Sequence, residues 1–253
     1  MKKLIAVSAL ALLALSAVAV AYGMPKGSMK DTHEALPWAG CYAGANIGYD
    51  WSNVSNDSTA EVLGAPIPQS SLSSSASPKG FMGGVQAGCN IQRDRLVYGV
   101  ETDLDLSSVT GSGSQSLPLG GPFALVSEFS QRLSYFGTLR GRLGVTASDK
   151  VLLYVTGGLA YGRVETTTHY GVAIGGTGIF FDGSSAETKF GWTLGGGAEY
   201  ALADRWTLKG EYLYYRLGGT GHRTDVVPGI LAINHDQNGL HGNIVRMGLN
   251  YKF

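Results

Sequence analysis

One face of this chain carries no charge. Eight stretches, roughly 41–51, 81–92, 96–106, 132–146, 151–162, 189–200, 205–215 and 243–253, alternate with a period of two, which in a strand puts every second side chain on the same side of a sheet. One parity holds Cys41, Ala43, Ala45, Ile47, Tyr49 and Trp51; Phe81, Val85, Ala87, Cys89 and Ile91; Leu96, Tyr98, Val100, Thr102, Leu104 and Leu106; and Leu133, Tyr135, Leu139, Leu143 and Val145. It continues through Val151, Leu153, Val155, Leu159 and Tyr161; Phe190, Trp192, Leu194, Ala198 and Tyr200; Trp206, Leu208, Tyr212 and Tyr214; and Val245, Met247, Leu249, Tyr251 and Phe253. A Lys or Arg at a bilayer midplane costs about 2–4 kcal/mol, enough to empty a lipid-facing wall of charge.

The opposite parity holds Asp50, Gln86, Asn90, Glu101, Asp103, Asp105, Arg132, Arg140, Arg142, Lys189, Glu199, Lys209, Glu211 and Arg246, with glycines between them. Segment 151–162 departs from this, since its inward set would be Leu152, Tyr154, Gly158 and Ala160. Each segment is long enough to cross a bilayer as a tilted strand. Short links at 93–95, 147–150 and 201–204 alternate with long ones at 52–80, 107–131, 163–188 and 216–242. The long links, rich in Ser, Gly, Thr, Asn and Pro, read as solvated loops with little core of their own.

Short turns on one rim and long loops on the other predict an all-β fold, an eight-stranded antiparallel up-and-down transmembrane β-barrel. Its terminal strand needs neighbours on both edges, which favours closure. A barrel of eight strands has an interior just wide enough for side chains to fill. The expectation is therefore a packed lumen of ion pairs among Glu101, Asp103, Arg140, Arg142, Glu199, Lys209, Glu211 and Arg246, and not an open channel. Aromatics gather at the segment ends, as bilayer interfaces select. A secreted lipocalin-like barrel has the same period with its faces reversed. Frequent glycine at the polar positions, aromatics sorted to the ends and a terminal Phe253 favour the membrane reading.

Targeting agrees with export. Lys2 and Lys3 precede an apolar run, Leu4 to Ala21, that closes on Ala19-Val20-Ala21, a small-x-small cleavage pattern. Residues 1–21 read as a signal peptide, with a cut after Ala19 as the nearest competitor; a spanning anchor is disfavoured by the absence of a following basic cluster. Residues 22–38 read as a flexible periplasmic lead-in and 39–253 as one outer-membrane barrel domain. Removing the leader leaves 17 basic against 19 acidic residues, so no basic surface for nucleic acid is indicated. Cys41 and Cys89 share parity near the ends of the first two segments. A cross-strand disulfide and two small apolar wall residues are both open readings.

Enzymatic readings are weak. Asp103 and Asp105 near the loop rim, with His222 and Asp225 or His235 and Asp236 from the last loop, would suit water activation as in omptin proteases. Acids at a lumen rim, however, ordinarily pair with Arg or meet water. None of His33, His169, His222, His235 or His241 has a Ser two residues away, as a lipid A deacylase of this size would require. Gly195-Gly196-Gly197 lies inside a strand pattern with no following helix, so it is not a phosphate loop. No catalytic, cofactor-binding or metal site is expected.

The motifs resemble a known family, the small opacity-protein-like or porin-family outer-membrane surface antigens of Gram-negative bacteria. They include Trp38-x-Gly40-x-Tyr42-x-Gly44, Gly80-Phe81-x-Gly83-Gly84-x-Gln86-x-Gly88, Tyr98-Gly99-x-Glu101-x-Asp103, Arg140-x-Arg142-x-Gly144, Gly191-Trp192-x-x-Gly195-x-Gly197-x-Glu199 and Val245-Arg246-x-Gly248-x-Asn250-Tyr251-x-Phe253. The resemblance implies both termini in the periplasm, extracellular long loops, periplasmic chaperones and barrel-insertion machinery as partners, and an insertion signal at Tyr251 and Phe253. Cys41 and Cys89 stand where that family more often has an aromatic. The role this implies is structural and interfacial: anchoring mobile surface loops for envelope integrity, as a surface antigen or for host or ligand contact. The alternative is a narrow porin for small hydrophilic solutes.

Overall fold

The computed structural model describes residues 38–66, 72–120, 123–174, 177–203, 205–227, 231–237 and 239–253. The leader 1–21 and all of the lead-in except Trp38 lie outside the described residues. The chain forms β1 (Gly40–Val62), β2 (Ala65–Pro66), β3 (Leu72–Ala76), β4 (Lys79–Arg93), β5 (Leu96–Gly120), β6 (Phe123–Ser148), β7 (Val151–Ile174), β8 (Thr177–Ala203), β9 (Trp206–Leu217), β10 (Thr220–Val227), β11 (Leu231–Gln237) and β12 (His241–Lys252).

The ring is built from β1, β4, β5, β6, β7, β8, β9 and β12, each antiparallel to its neighbours. It closes because β1 pairs with β4 along one edge, Gly40 to Trp51 against Lys79 to Asn90, and with β12 along the other, Tyr42 to Asn53 against His241 to Lys252. Each of the eight alternating segments falls in one of these strands, with only Arg205 and Phe253 lying just beyond a strand end. No helix among the described residues is long and apolar enough to cross a membrane.

The long links differ from the solvated loops read in the sequence. The β5–β6 pair runs on to Gly120 opposite Phe123, and the β7–β8 pair to Ile174 opposite Thr177. Beyond the ring, β1 pairs with β3 and then with β11, which pairs with β10. Backbone hydrogen bonding is indifferent to the Ser, Thr and Gly composition that reads as loop. The inward alternation also persists, through Val109, Phe129, Leu133 and Val164.

These side chains and Val54, Ala76, Met82, Phe136, Ala160, Leu213, Tyr215, Leu217, Leu240 and Ile244 form a continuous apolar core at the long-hairpin end of the lumen. A smaller one, Trp38, Val97, Leu152 and Tyr154, fills the short-turn end. Of the irregular inward set of segment 151–162, Leu152 and Tyr154 supply the floor of the barrel and Ala160 joins the core at the other end. Trp38 belongs to that floor: it is 3 % exposed, and its backbone N–H donates to Gln92 Oε1 at 3.0 Å.

Two facing assignments reverse. The sequence period puts Leu133 outside and Arg132 inside, but Leu133 is 2 % exposed and Arg132 is on the surface. The cause is a β-bulge: β6 places Leu133 opposite Val164 and Tyr135 opposite Arg163, so Ser134 is an extra residue. One inserted residue moves all later side chains to the other face.

The outer wall is apolar throughout its middle, with Val100, Leu139, Val155, Leu159 and Leu194 exposed. Rings meet at both rims: Tyr49 with Phe81 at 5.1 Å and Trp192 with Tyr214 at 5.5 Å on one side, and Trp206 with Tyr251 at 5.1 Å and Tyr251 with Phe253 at 5.8 Å on the other. Cys41 stands directly opposite Cys89 on β1 and β4, and the two sulfurs are bonded. Val155, 60 % exposed halfway between the belts, gives a direct test. Val155→Arg should lower unfolding free energy in vesicles by about 2–4 kcal/mol in a urea titration. Arginine placed at Ser148, beyond the belt, should leave it nearly unchanged.

Candidate functional site

Between the two apolar layers lies a belt of acidic and basic side chains closed to solvent. β5 supplies Glu101, Asp103 and Asp105, β6 Arg140 and Arg142, β8 Glu199, β9 Lys209 and Glu211, and β12 Arg246. All eight network residues read from the sequence lie in it, joined by Asp105. The strand period of two places alternate residues of each strand in the lumen, and antiparallel register brings Glu101 opposite Arg140 and Arg246 opposite Glu211.

Arg140 is the hub. Its Nη1 donates to Glu211 Oε2 at 2.5 Å, its Nη2 to Glu101 Oε1 at 2.5 Å and Asp103 Oδ2 at 3.0 Å, and its Nε to Thr138 Oγ1 at 2.8 Å. Arg246 is the second: Nη2 to Asp103 at 2.7 Å, Nη1 to Asp105 at 3.1 Å and Nε to Glu211 at 3.0 Å. Lys209 Nζ bridges Glu101 at 2.7 Å and Glu211 at 3.2 Å. Arg142 Nη2 donates to Glu199 at 2.6 Å, and its guanidinium lies 4.1 Å from the centre of the Tyr154 ring. The planar fork of arginine can hold several carboxylates at once, which an ammonium cannot.

Tyr42 ties the two halves together. It donates to Glu101 Oε2 at 2.5 Å and accepts from Arg142 Nη1 at 2.6 Å. The sequence reading passed over it, although its even position between Cys41 and Ala43 carries the parity signal that placed Glu101 inside. Thr138 was missed likewise; its hydroxyl donates to Asp103 at 2.6 Å. Gly88 reflects the same packing, since a Cβ there would strike the Tyr42 ring and hydroxyl.

With four cations facing five carboxylates, the belt is nearly neutral, and its chemistry is mutual satisfaction. Asp103 and Asp105, considered above as a hydrolytic pair, are both under 3 % exposed and held by Arg246. His222 stands opposite His235 on the β10–β11 hairpin, in a different part of the chain from those acids. No group of three or more His, Cys, Asp or Glu that could hold a metal occurs among the described residues. Tyr251 and Phe253 are at the short-turn rim, where the Phe253 N–H donates to the Cys41 carbonyl at 3.0 Å.

Removing one partner from such a cluster leaves buried charge without compensation. Arg140→Ala should cost about 3–5 kcal/mol in vesicle unfolding, whereas Tyr42→Phe, which deletes only a hydroxyl between two charges, should cost about 1.5–3 kcal/mol.

The barrel corresponds to a known family. Residues 7–253 match the model of the outer membrane protein beta-barrel domain. The chain is 39 % identical over 263 residues to the 31 kDa outer-membrane immunogenic protein of Brucella melitensis biotype 1, covering 100 % of both. It is 28 % identical over 260 residues to the 25 kDa outer-membrane immunogenic protein of Brucella abortus biovar 1, covering 100 % of this chain and 99 % of the other. Among solved structures, the outer membrane protein OprG of Pseudomonas aeruginosa superposes with a TM-score of 0.51 over 85 % of this chain and 97 % of that one, at 14 % identity, a likeness of fold. With a closed ring, an outer wall apolar through its middle and a family match across the barrel, the chain belongs to the outer membrane protein beta-barrel family and is an integral outer-membrane protein.

Proposed function

We propose that this protein is a sealed membrane anchor whose long hairpins are displayed outside the cell, where they serve envelope integrity and surface contact. The observation that carries this reading is the filling of the lumen: an ionic belt between an apolar ceiling around Phe136 and Tyr215 and an apolar floor around Trp38 and Leu152. A solute path would need a continuous column of water, and at both layers the narrow lumen is filled by packed side chains instead. The name immunogenic, borne by the Brucella relatives, fits a chain whose hairpins are open to antibodies.

Orientation follows the family pattern, with the short turns and both termini in the periplasm. In that arrangement Phe253, 60 % exposed on the outer wall, is open to the insertion machinery. The hydroxyl–carboxylate contacts in the belt, Thr138 with Asp103 and Tyr42 with Glu101, are buried with the rest of it and out of reach of a substrate, which supports an architectural role.

In planar bilayers the refolded protein should give no steady conductance, and Arg140→Ala should give none either, because ceiling and floor remain. Reproducible conductance that rises on removing charge at Arg140 or Glu101 would establish the narrow porin instead. In intact cells, a membrane-impermeant maleimide should label Ser112→Cys on the β5–β6 hairpin and spare Ala147→Cys on the short turn. The reverse pattern would invert the orientation. Deleting Phe253 should lower the yield of heat-modifiable barrel in outer-membrane fractions, and an unchanged yield would remove its assigned role.

A further inference from the structure

Just past the aromatic belt on the long-hairpin side, the outer wall changes from rings to cations. On four strands an outward aromatic is followed, at the next outward position away from the apolar band, by Lys or Arg. The pairs are Phe81 and Lys79 on β4, Tyr135 and Arg132 on β6 across the bulge, Tyr161 and Arg163 on β7, and Tyr214 and Arg216 on β9. His241 of β12 stands opposite Arg216. Register links Lys79 through Thr110 to Arg132, while Arg163 stands opposite Tyr135 and Arg216 opposite Trp192, each beside a ring of the aromatic belt on the neighbouring strand.

One acid joins this contour. Glu165 is opposite Arg132 and accepts from Arg163 Nε at 3.1 Å, a hydrogen bond that holds its carboxyl below the usual range. Four basic side chains therefore face one acidic one. The short-turn rim is mixed by comparison, with Arg93-Asp94-Arg95 and Asp149-Lys150 alternating in sign.

Depth decides what such a ring meets. Two strand residues rise about 6.6 Å, which a tilt near 45° reduces to about 5 Å. The polar layer on each side of the hydrocarbon is about 5–7 Å thick, so a cation one outward step past the aromatics sits at headgroup level. Long basic side chains can lay their stems on the wall and keep their charged ends among phosphates.

We propose that Lys79, Arg132, Arg163 and Arg216 form a girdle that binds the phosphate groups of anionic lipids in the leaflet on the long-hairpin side. The proposal depends on the displayed-hairpin reading only for which leaflet of the cell supplies the lipid.

The test uses full-length protein in phosphatidylcholine vesicles containing a minor fraction of lipid A, bisphosphorylated or dephosphorylated, in both leaflets, so that the outcome is independent of orientation. Lipid retained on the barrel is counted by native mass spectrometry. Wild type should retain the phosphorylated form at least about fivefold over the dephosphorylated one, and the preference should shrink as salt rises from 0.1 to 1 M and the screening length falls from about 10 to about 3 Å. Lys79→Gln/Arg132→Gln/Arg163→Gln/Arg216→Gln should lose the preference while remaining heat-modifiable, and Arg93→Gln/Arg95→Gln/Arg205→Gln should keep it.

Equal retention of the two lipids by wild type overturns the proposal without recourse to any variant. Equal preference in the girdle variant, or displacement of lipid A by soluble inositol hexakisphosphate at equal phosphate concentration, overturns it too, the last by marking the ring as a site for soluble polyanions.

Discussion

The double pairing of β1, with β4 on one edge and β12 on the other, is the contact without which no other part of this barrel could exist in a membrane. Hydrocarbon offers a backbone N–H or carbonyl no partner, and each one left open costs several kcal/mol. A seam twelve residue pairs long, joining the first strand to the last, removes both sheet edges at once. Closure then creates two environments from one alternation: a wall that must be apolar and a lumen too narrow for bulk water.

Within that lumen, the arrangement of charge follows from what burial demands. An isolated buried ion is far too costly, so each carboxylate in the belt meets a guanidinium, an ammonium or a hydroxyl. Arg140 and Arg246 do this for Glu101, Asp103, Asp105 and Glu211 together. The apolar layers above and below keep the dielectric low around the belt, which strengthens each pair and also raises the penalty for any member lost. The belt thereby ties β5, β6, β8, β9 and β12 across the barrel axis. Ladder hydrogen bonds, which link only adjacent strands, cannot do this.

Outside the wall, the same alternation is read by depth. Apolar residues give way to rings and then, on the long-hairpin side, to Lys79, Arg132, Arg163 and Arg216. This succession matches hydrocarbon, interface and headgroup layers. The bulge at Ser134 matters to both faces, because it turns Leu133 into the upper core and Arg132 outward into the basic contour. A device of local backbone geometry thus sets the composition of two separate surfaces.

Periodicity and side-chain chemistry alone determined the eight strands of the ring, their apolar face, the closed antiparallel architecture and, Arg132 excepted, the charges enclosed, because a two-residue period with one charge-free face has few folded solutions in a bilayer. They also carried Tyr42 and Thr138 in plain parity, though a hydroxyl among glycines gives no sign that it bridges two ions. Only the tertiary structure decided the reversal at Leu133 and Arg132, since a one-residue insertion is visible only against its paired strand. It alone also decided the pairing of Cys41 with Cys89, the extension of β5 to β8 through stretches with loop composition, and the assembly of Trp38, Val97, Leu152 and Tyr154 into a floor. Each of these depends on which residues from distant parts of the chain stand opposite one another, and that is set by register around a closed ring.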